Sequence, residues 1–165
     1  MQARASMSAL PASGSMSGMA FMEPTADLEL SLECHGLDNL DYTSKSDPLV
    51  VVYAKDAAGS YRELGRTEIV QDSLDPKFAQ SFTIQYFFER TQWFRFDVYD
   101  ADAPTPDLDK HDFIGRTTEL RLCDIVSGSQ HGRLTAELNR PGKRRSSGPL
   151  TCIVEEMCEN FVILY

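Results

Sequence analysis

From Asp27 onward apolar and polar residues alternate, with Leu28, Leu30, Leu32 and Cys34 on one face and Glu29, Ser31, Glu33 and His35 on the other. Successive side chains of a strand point to opposite faces, so this period of two predicts a half-buried strand. Further strand patterns follow at 49–54, 61–70, 80–88, 93–100, 113–120, 133–138 and 150–156. The clearest apolar faces are Phe82/Ile84/Tyr86/Phe88, Phe94/Phe96/Val98 and Leu134/Ala136/Leu138. A short helical turn is expected near 121–127, and no segment holds a long 3.6-residue period. Short strands parted by Gly, Pro, Asp and Ser clusters predict an all-β fold, an eight-stranded antiparallel β-sandwich.

At both ends the alternation is lost. Residues 1–24 are rich in Ser, Ala, Gly and Met and carry only Arg4 and Glu23 as charges. They cannot bury enough apolar surface to offset the entropy of ordering, so a disordered tail is expected ahead of a domain over 25–157. Ser8, Ser13, Gly14, Ser15 and Ser17 interrupt any signal-peptide centre, and Gln2 stands where myristoylation needs Gly. The scarcity of acids leaves a transit peptide open, with Arg4 as its one basic residue. Residues 158–165 end in the apolar run Phe161–Tyr165, which either pairs onto the sandwich or begins a further domain. No apolar run approaches the ~18 residues of a membrane-spanning helix, so a soluble chain is expected.

The chain has 165 residues, 42% of them hydrophobic, enough for the core of one domain. Its formal net charge of −9 argues against nucleic acid as a partner. It also predicts repulsion from an anionic membrane unless something local reverses the sign. The basic stretch Arg140-Pro-Gly-Lys-Arg-Arg-Ser-Ser-Gly-Pro149 is read as a flexible connection, either a solvated loop or a contact for lipid headgroups or an acidic partner. Cys34, Cys123, Cys152 and Cys158 stand far apart without metal-type spacing, and reduced cytosolic thiols are expected.

The acids sit at strand ends. Asp38, Asp41 and Asp47 flank one inter-strand loop, and Asp100, Asp102, Asp107, Asp109 and Asp112 crowd another. Carboxylates this dense repel one another unless a cation offsets the repulsion. Asp and carbonyl oxygens on flexible loops suit calcium better than magnesium, which demands stricter geometry. The plainer alternative is that these are polar turns, where Asp serves its own backbone. An EF-hand is excluded, because counting twelve from Asp100 puts Thr105 at the Gly position and His111 at the Glu position. A carboxylate acid–base pair has no nucleophile motif or phosphate loop beside it, so no enzyme is expected.

The string Gly36-Leu-Asp-Asn-Leu-Asp41 with Ser46-Asp47-Pro48-Leu49-Val50 resembles the first calcium loop of C2 domains. Phe96-Asp-Val-Tyr-Asp100-Ala-Asp102 followed by His111-Asp112-Phe113-Ile114-Gly115 resembles the third. Between them, Ser73-Leu-Asp-Pro76-Lys-Phe78 is similar to the family's Asn-Pro-x-aromatic turn, with Asp in place of Asn. The blocks Arg66–Val70, Phe82–Arg90 and Trp93–Phe96 look most like the first of two tandem C2 domains of copines, calcium-dependent phospholipid-binding proteins with a von Willebrand A-type domain after the pair. The resemblance implies the permuted topology whose first strand leads directly into calcium loop one, and makes Phe161–Tyr165 the opening strand of a second C2 domain.

Carried over by position, the family's calcium ligands fall on Asp41, Asp47, Asp100, Asp102 and Asp112. The third loop departs from the pattern: it runs twelve residues from Asp100 to Asp112, with Pro104 and Pro106, so Asp107 or Asp109 is an alternative to Asp112. Asp38 is read as a solvated neighbour. The implied function is calcium-dependent binding to anionic phospholipid membranes in trafficking or signalling, by a cytoplasmic protein that becomes peripheral on the plasma membrane when calcium rises. Tyr42 and Leu108 are candidates to dip into the bilayer, and Lys45, Lys110 and His111 to touch headgroups. The competing expectation is a calcium-independent protein–protein adaptor using a strand edge or the basic loop around Lys143, Arg144 and Arg145.

Overall fold

The structure, a computed structural model, describes residues 22–128 and 131–158. Its strands are β1 (Thr25–Cys34), β2 (Pro48–Lys55), β3 (Tyr61–Arg66), β4 (Phe82–Phe87), β5 (Trp93–Asp100), β6 (Asp112–Arg116), β7 (Leu120–Arg121), β8 (Arg133–Glu137) and β9 (Pro149–Glu156). One sheet has the order β4-β1-β9-β8; the other runs β3-β2-β5-β6, with the short β7 also on β5. All pairings are antiparallel. The helical turn expected near 121–127 is α1 (Leu122–Val126), which buries Leu122 and Ile125.

The two sheets bury one continuous core between them, with Leu28, Leu30 and Leu32 from β1 facing Phe94, Phe96 and Val98 from β5 in the same cluster. The Phe82 face behaves as its alternation predicts for its first half only: Phe82 and Ile84 are buried, whereas Phe88 lies past the end of β4 and is exposed. The central strand β2 buries Leu49 through Val52 without alternation. A strand covered on both faces reads as a continuous apolar run. Its outer cover includes Tyr53, Arg95 and Tyr61, with the Arg95 guanidinium 4.6 Å from the Tyr53 ring centre and 4.8 Å from that of Tyr61. Asp97, wholly buried beneath this layer, pairs with Arg95 at 3.1 Å and Arg116 at 2.6 Å.

Two expected strands are shorter than their apolar pattern, for the same reason. The run 61–70 stops at Arg66 and 113–120 splits into β6 and β7, giving a ninth strand. Each break carries a buried threonine. The Thr67 hydroxyl accepts from the Val50 N–H at 2.9 Å and the Thr117 hydroxyl accepts from the Phe96 N–H at 3.1 Å. A side-chain oxygen thus stands where a ladder carbonyl would be, and the backbone beyond it is free to turn away.

Register fixes which loops share an end. Cys34 at the end of β1 pairs with Leu150 at the start of β9, and Pro48 at the start of β2 pairs with Asp100 at the end of β5. The connections 35–47, 67–81, 101–111 and 138–148 therefore gather at one end, while Thr25 and Glu156 lie at the other. This is the expected permuted order, with β1 running straight into the first acidic loop. The expected tail lies outside the described residues up to residue 21; of the described ones, Glu23 pairs with Arg90 at 2.5 Å, and the Pro24 carbonyl accepts from the Phe88 N–H at 3.2 Å. The run Phe161–Tyr165 also lies outside the described residues.

Candidate functional site

The acidic end is built on adjacent strands. Asp100 closes β5 and pairs in register with Asp112, which opens β6, and with Pro48, which follows Asp47 and opens β2. Three of the expected ligand positions are thereby fixed by ladder geometry. Asp41 is placed by a local framework: its N–H donates to Asn39 Oδ1 at 3.3 Å, its Oδ2 accepts from the Ser44 hydroxyl at 3.3 Å, and the buried Ser46 hydroxyl accepts from the Leu40 N–H at 3.1 Å.

The 101–111 connection is long but held across its width. His111, largely buried, takes the Asp102 N–H on Nδ1 at 3.2 Å and bonds the Thr105 carbonyl through Nε2 at 2.8 Å. Only the tautomer protonated on Nε2 satisfies both. His111 is thus a loop staple turned inward, not the headgroup contact the sequence suggested. A single 3-10 turn, Leu108–Lys110, is capped by Asp107, whose side chain accepts from the Asp109 N–H at 3.1 Å.

Charge is concentrated and incompletely compensated. Asp100 is 1% exposed; its Oδ1 accepts from the Asp47 N–H at 2.7 Å, and its Oδ2 is buried with no partner among the described residues. Asp47 turns Oδ1 to the Asp72 N–H at 2.7 Å, and Asp102 turns Oδ2 to the Asp112 N–H at 2.9 Å. Partial desolvation, together with the charges of Asp112, Asp100 and Asp41, pushes the Asp102 carboxyl above its ordinary value; the hydrogen bond from Asp112 works the other way. The structure thus brings Asp41, Asp100 and Asp112 within electrostatic reach of Asp102, with the Asp47 N–H bonded to Asp100. Asp107 and Asp109, both exposed, serve the 3-10 turn, and they are not among the charges acting on Asp102.

Among the described residues no three Asp, Glu, His or Cys side chains are gathered tightly enough to enclose an ion as they stand. An open depression of about 280 Å³ has Asp47 and Asp102 in its wall, with Ile69 and Pro104 beside them.

The remaining expected contacts separate. Tyr42 is fully exposed, Lys45 and Lys110 are exposed, and Leu108 is half-buried. Asp38 is no solvated neighbour: its carboxylate takes Lys143 and, at 3.5 Å, Arg145 from the 138–148 loop. Asp72 was not foreseen. It adopts a left-handed φ of 52°, gives its N–H to Asp47, and accepts from the Lys45 N–H at 2.8 Å, lacing the 67–81 connection to the first acidic loop. Its one local signal was the tolerance of Asp for that backbone region.

Comparison with known proteins places this geometry. The C2 domain family model matches residues 29–136. Nicotinic receptor-associated protein 1 of Caenorhabditis elegans is 35% identical over 158 residues, covering 81% of this chain and 25% of that protein. Copine-A of Dictyostelium discoideum is 36% identical over 139 residues, covering 84% and 22% respectively. The chain therefore spans about a quarter of the length of these relatives. In fold, a C2 domain of plant Extended Synaptotagmin 1 superposes with a TM-score of 0.57 at 20% identity, over 81% of this chain and 97% of that one. An antiparallel sandwich with acidic loops at one end, matched over most of its strands, belongs to the C2 domain family, and within it the chain is copine-like.

Proposed function

We propose that this chain is a calcium-dependent module that binds phospholipids of anionic membranes, without catalytic activity, and that it becomes peripheral on the cytoplasmic face of the plasma membrane when calcium rises. The observation that carries the reading is Asp100 Oδ2, a buried carboxyl oxygen left without a partner where acids from two loops meet. An unsatisfied buried polar atom costs ~1–3 kcal/mol, more when charged, and a cation placed there removes that cost. Hard oxygen donors on loops suit calcium, which accepts six to eight of them. Family membership and the copine-like relatives support the membrane as the target.

Asp41, Asp47, Asp100, Asp102 and Asp112 would hold the metal; among the described residues Asp47 and Asp102 each keep one oxygen without a hydrogen-bond donor. Bound calcium would supply positive charge against these carboxylates and coordination positions for lipid phosphate oxygens. The chain does the positioning. β2, β5 and β6 place Asp100 and Asp112 in register with Asp47 one residue before the ladder, and His111 ties the 101–111 connection together through Asp102 and Thr105. Tyr42 and Leu108 would enter the interfacial layer, with Lys45 and Lys110 beside the headgroups.

The test is sedimentation with phosphatidylserine-containing vesicles in calcium and in chelator at near-physiological salt. Binding is expected to rise in calcium, and Asp100→Asn combined with Asp102→Asn to abolish the rise. Equal binding of the wild type in both conditions, or a rise that survives the double substitution, would sink the proposal.

A further inference from the structure

The 138–148 loop carries Arg140, Lys143, Arg144 and Arg145 with no acid between Asn139 and Gly148, in a chain of net charge −9. Register puts it at the acidic end, and backbone contacts hold it there. The Asp38 N–H donates to the Ser147 carbonyl at 3.0 Å and the His35 N–H to the Pro149 carbonyl at 3.1 Å. Gly148, at φ +119°, lies so close that a Cβ would come within 2.9 Å of the carbonyl oxygens of His35 and Gly36. The loop is docked against the first acidic connection instead of being a free solvated hairpin.

Its charge is only partly answered. Asp38 engages Lys143 and Arg145, and its side chain is 15% exposed. Among the described residues Arg144, exposed, and Arg140, which shares a cleft of about 300 Å³ with Arg116 and Phe113, have no ion-pair partner. Four cations against Asp38 and the adjoining Glu137, which accepts from the Ser146 hydroxyl, leave an excess of positive charge beside the surface that, without metal, most repels an anionic bilayer. A flat bilayer would meet both loops together. An acidic globular protein reaching the basic loop would meet the acidic loops as well and be repelled by them.

We infer that the 138–148 loop is a second lipid-phosphate contact that works without calcium, suited to polyphosphorylated headgroups, and that Asp38 holds it partly neutralised. The inference rests on the reading of the acidic end as the membrane-facing end. Replacing Asp38 removes one negative charge and releases two cations, so the effect of that single residue runs opposite to the effect of the metal-site aspartates.

The experiment measures binding of the full chain to phosphatidylcholine vesicles with and without about 5 mol% phosphatidylinositol bisphosphate, in chelator and in calcium, at about 0.1 M salt. In chelator, wild type is expected to bind the phosphoinositide vesicles weakly, Asp38→Asn several-fold more tightly, and Lys143→Gln/Arg144→Gln/Arg145→Gln about tenfold more weakly. Arg140→Gln/Arg144→Gln breaks no ion pair and serves as the control for folding; it is expected to weaken binding in the same direction. Asp100→Asn/Asp102→Asn is expected to retain the chelator binding. Absence of that binding in both wild type and Asp38→Asn, or its indifference to both sets of glutamines, would overturn the inference. Binding of soluble inositol trisphosphate with no vesicle binding would overturn the bilayer assignment. Loss of the calcium increment with the chelator binding intact would count against the calcium reading and leave this one standing.

Discussion

Asp100 and Asp102 are disfavoured for different reasons, and their substitutions should behave differently. Asp102 is penalised by partial desolvation and then by the like charges of Asp112, Asp100 and Asp41, so its ionised form costs stability above its raised pKa, and that cost disappears as the pH falls below the ordinary carboxylate range. Asp102→Asn keeps an acceptor for the Asp112 N–H. It should raise the melting temperature in chelator by roughly 1–3 °C at pH 7 and leave it unchanged near pH 3, as scanning calorimetry would read. A second residue-scale prediction concerns thiols. Burial pushes Cys34 up to about 12 and Cys152 higher still. Well below the ordinary thiol pKa of ~8.5 both thiols are protonated folded or unfolded; as pH rises through that value toward about 12, only the unfolded chain ionises Cys34 freely, and stability falls. Iodoacetamide at pH 8 should label the exposed Cys158 quickly and spare Cys34 and Cys152, as mapped by peptide mass. At this scale the placement of Asp47, Asp100 and Asp102 at neighbouring strand ends was legible, because Asp47-Pro48 and Asp100-Ala-Asp102 are compact strings. The partnership of Asp38 with Lys143 spans 105 positions, and no local pattern records it.

The strand boundaries show what an apolar pattern does not encode. Ile69 and Leu120 continue the expected alternation, yet β3 ends before the first, and the second belongs to a separate strand. What decides both ends is a hydroxyl. Thr67→Val and Thr117→Val preserve shape and leave the buried N–H of Val50 or Phe96 without an acceptor. Each should cost about 1–3 kcal/mol in denaturant unfolding, while the corresponding Ser variants cost less. The sandwich itself was readable from alternation, since one face of nearly every strand is core. The position of the basic loop was not, because which loops share an end depends on register between strands far apart in sequence.

For the whole molecule, ligand linkage gives the broadest check. A metal that binds only the folded chain adds RT ln(1 + [L]/Kd), about 2.7 kcal/mol at a hundredfold excess over Kd. Calcium should therefore raise the melting temperature by roughly 5–10 °C, with magnesium much less effective. Asp97 tests a separate support, since Asp97→Ala strips the buried partner from Arg95 and Arg116 on the outer face of the second sheet. It should destabilise the fold by about 2–4 kcal/mol without altering the calcium-induced shift.

The register that gathers the acidic loops at one end also sets how the molecule carries load. β1 and β9 are bonded neighbours, Leu28 opposite Glu156, with entry and exit of the chain side by side at the far end. Tension applied between residues 25 and 156 would peel these two strands apart one hydrogen bond at a time, at low force. Tension between Tyr42, at the loop end, and residue 156 would instead load the same ladder along its length, where several bonds must fail together. A domain gripped through its loops and tugged from its exit strand is thus loaded in its stronger direction, a contrast that single-molecule pulling from the two pairs of attachment points would measure directly.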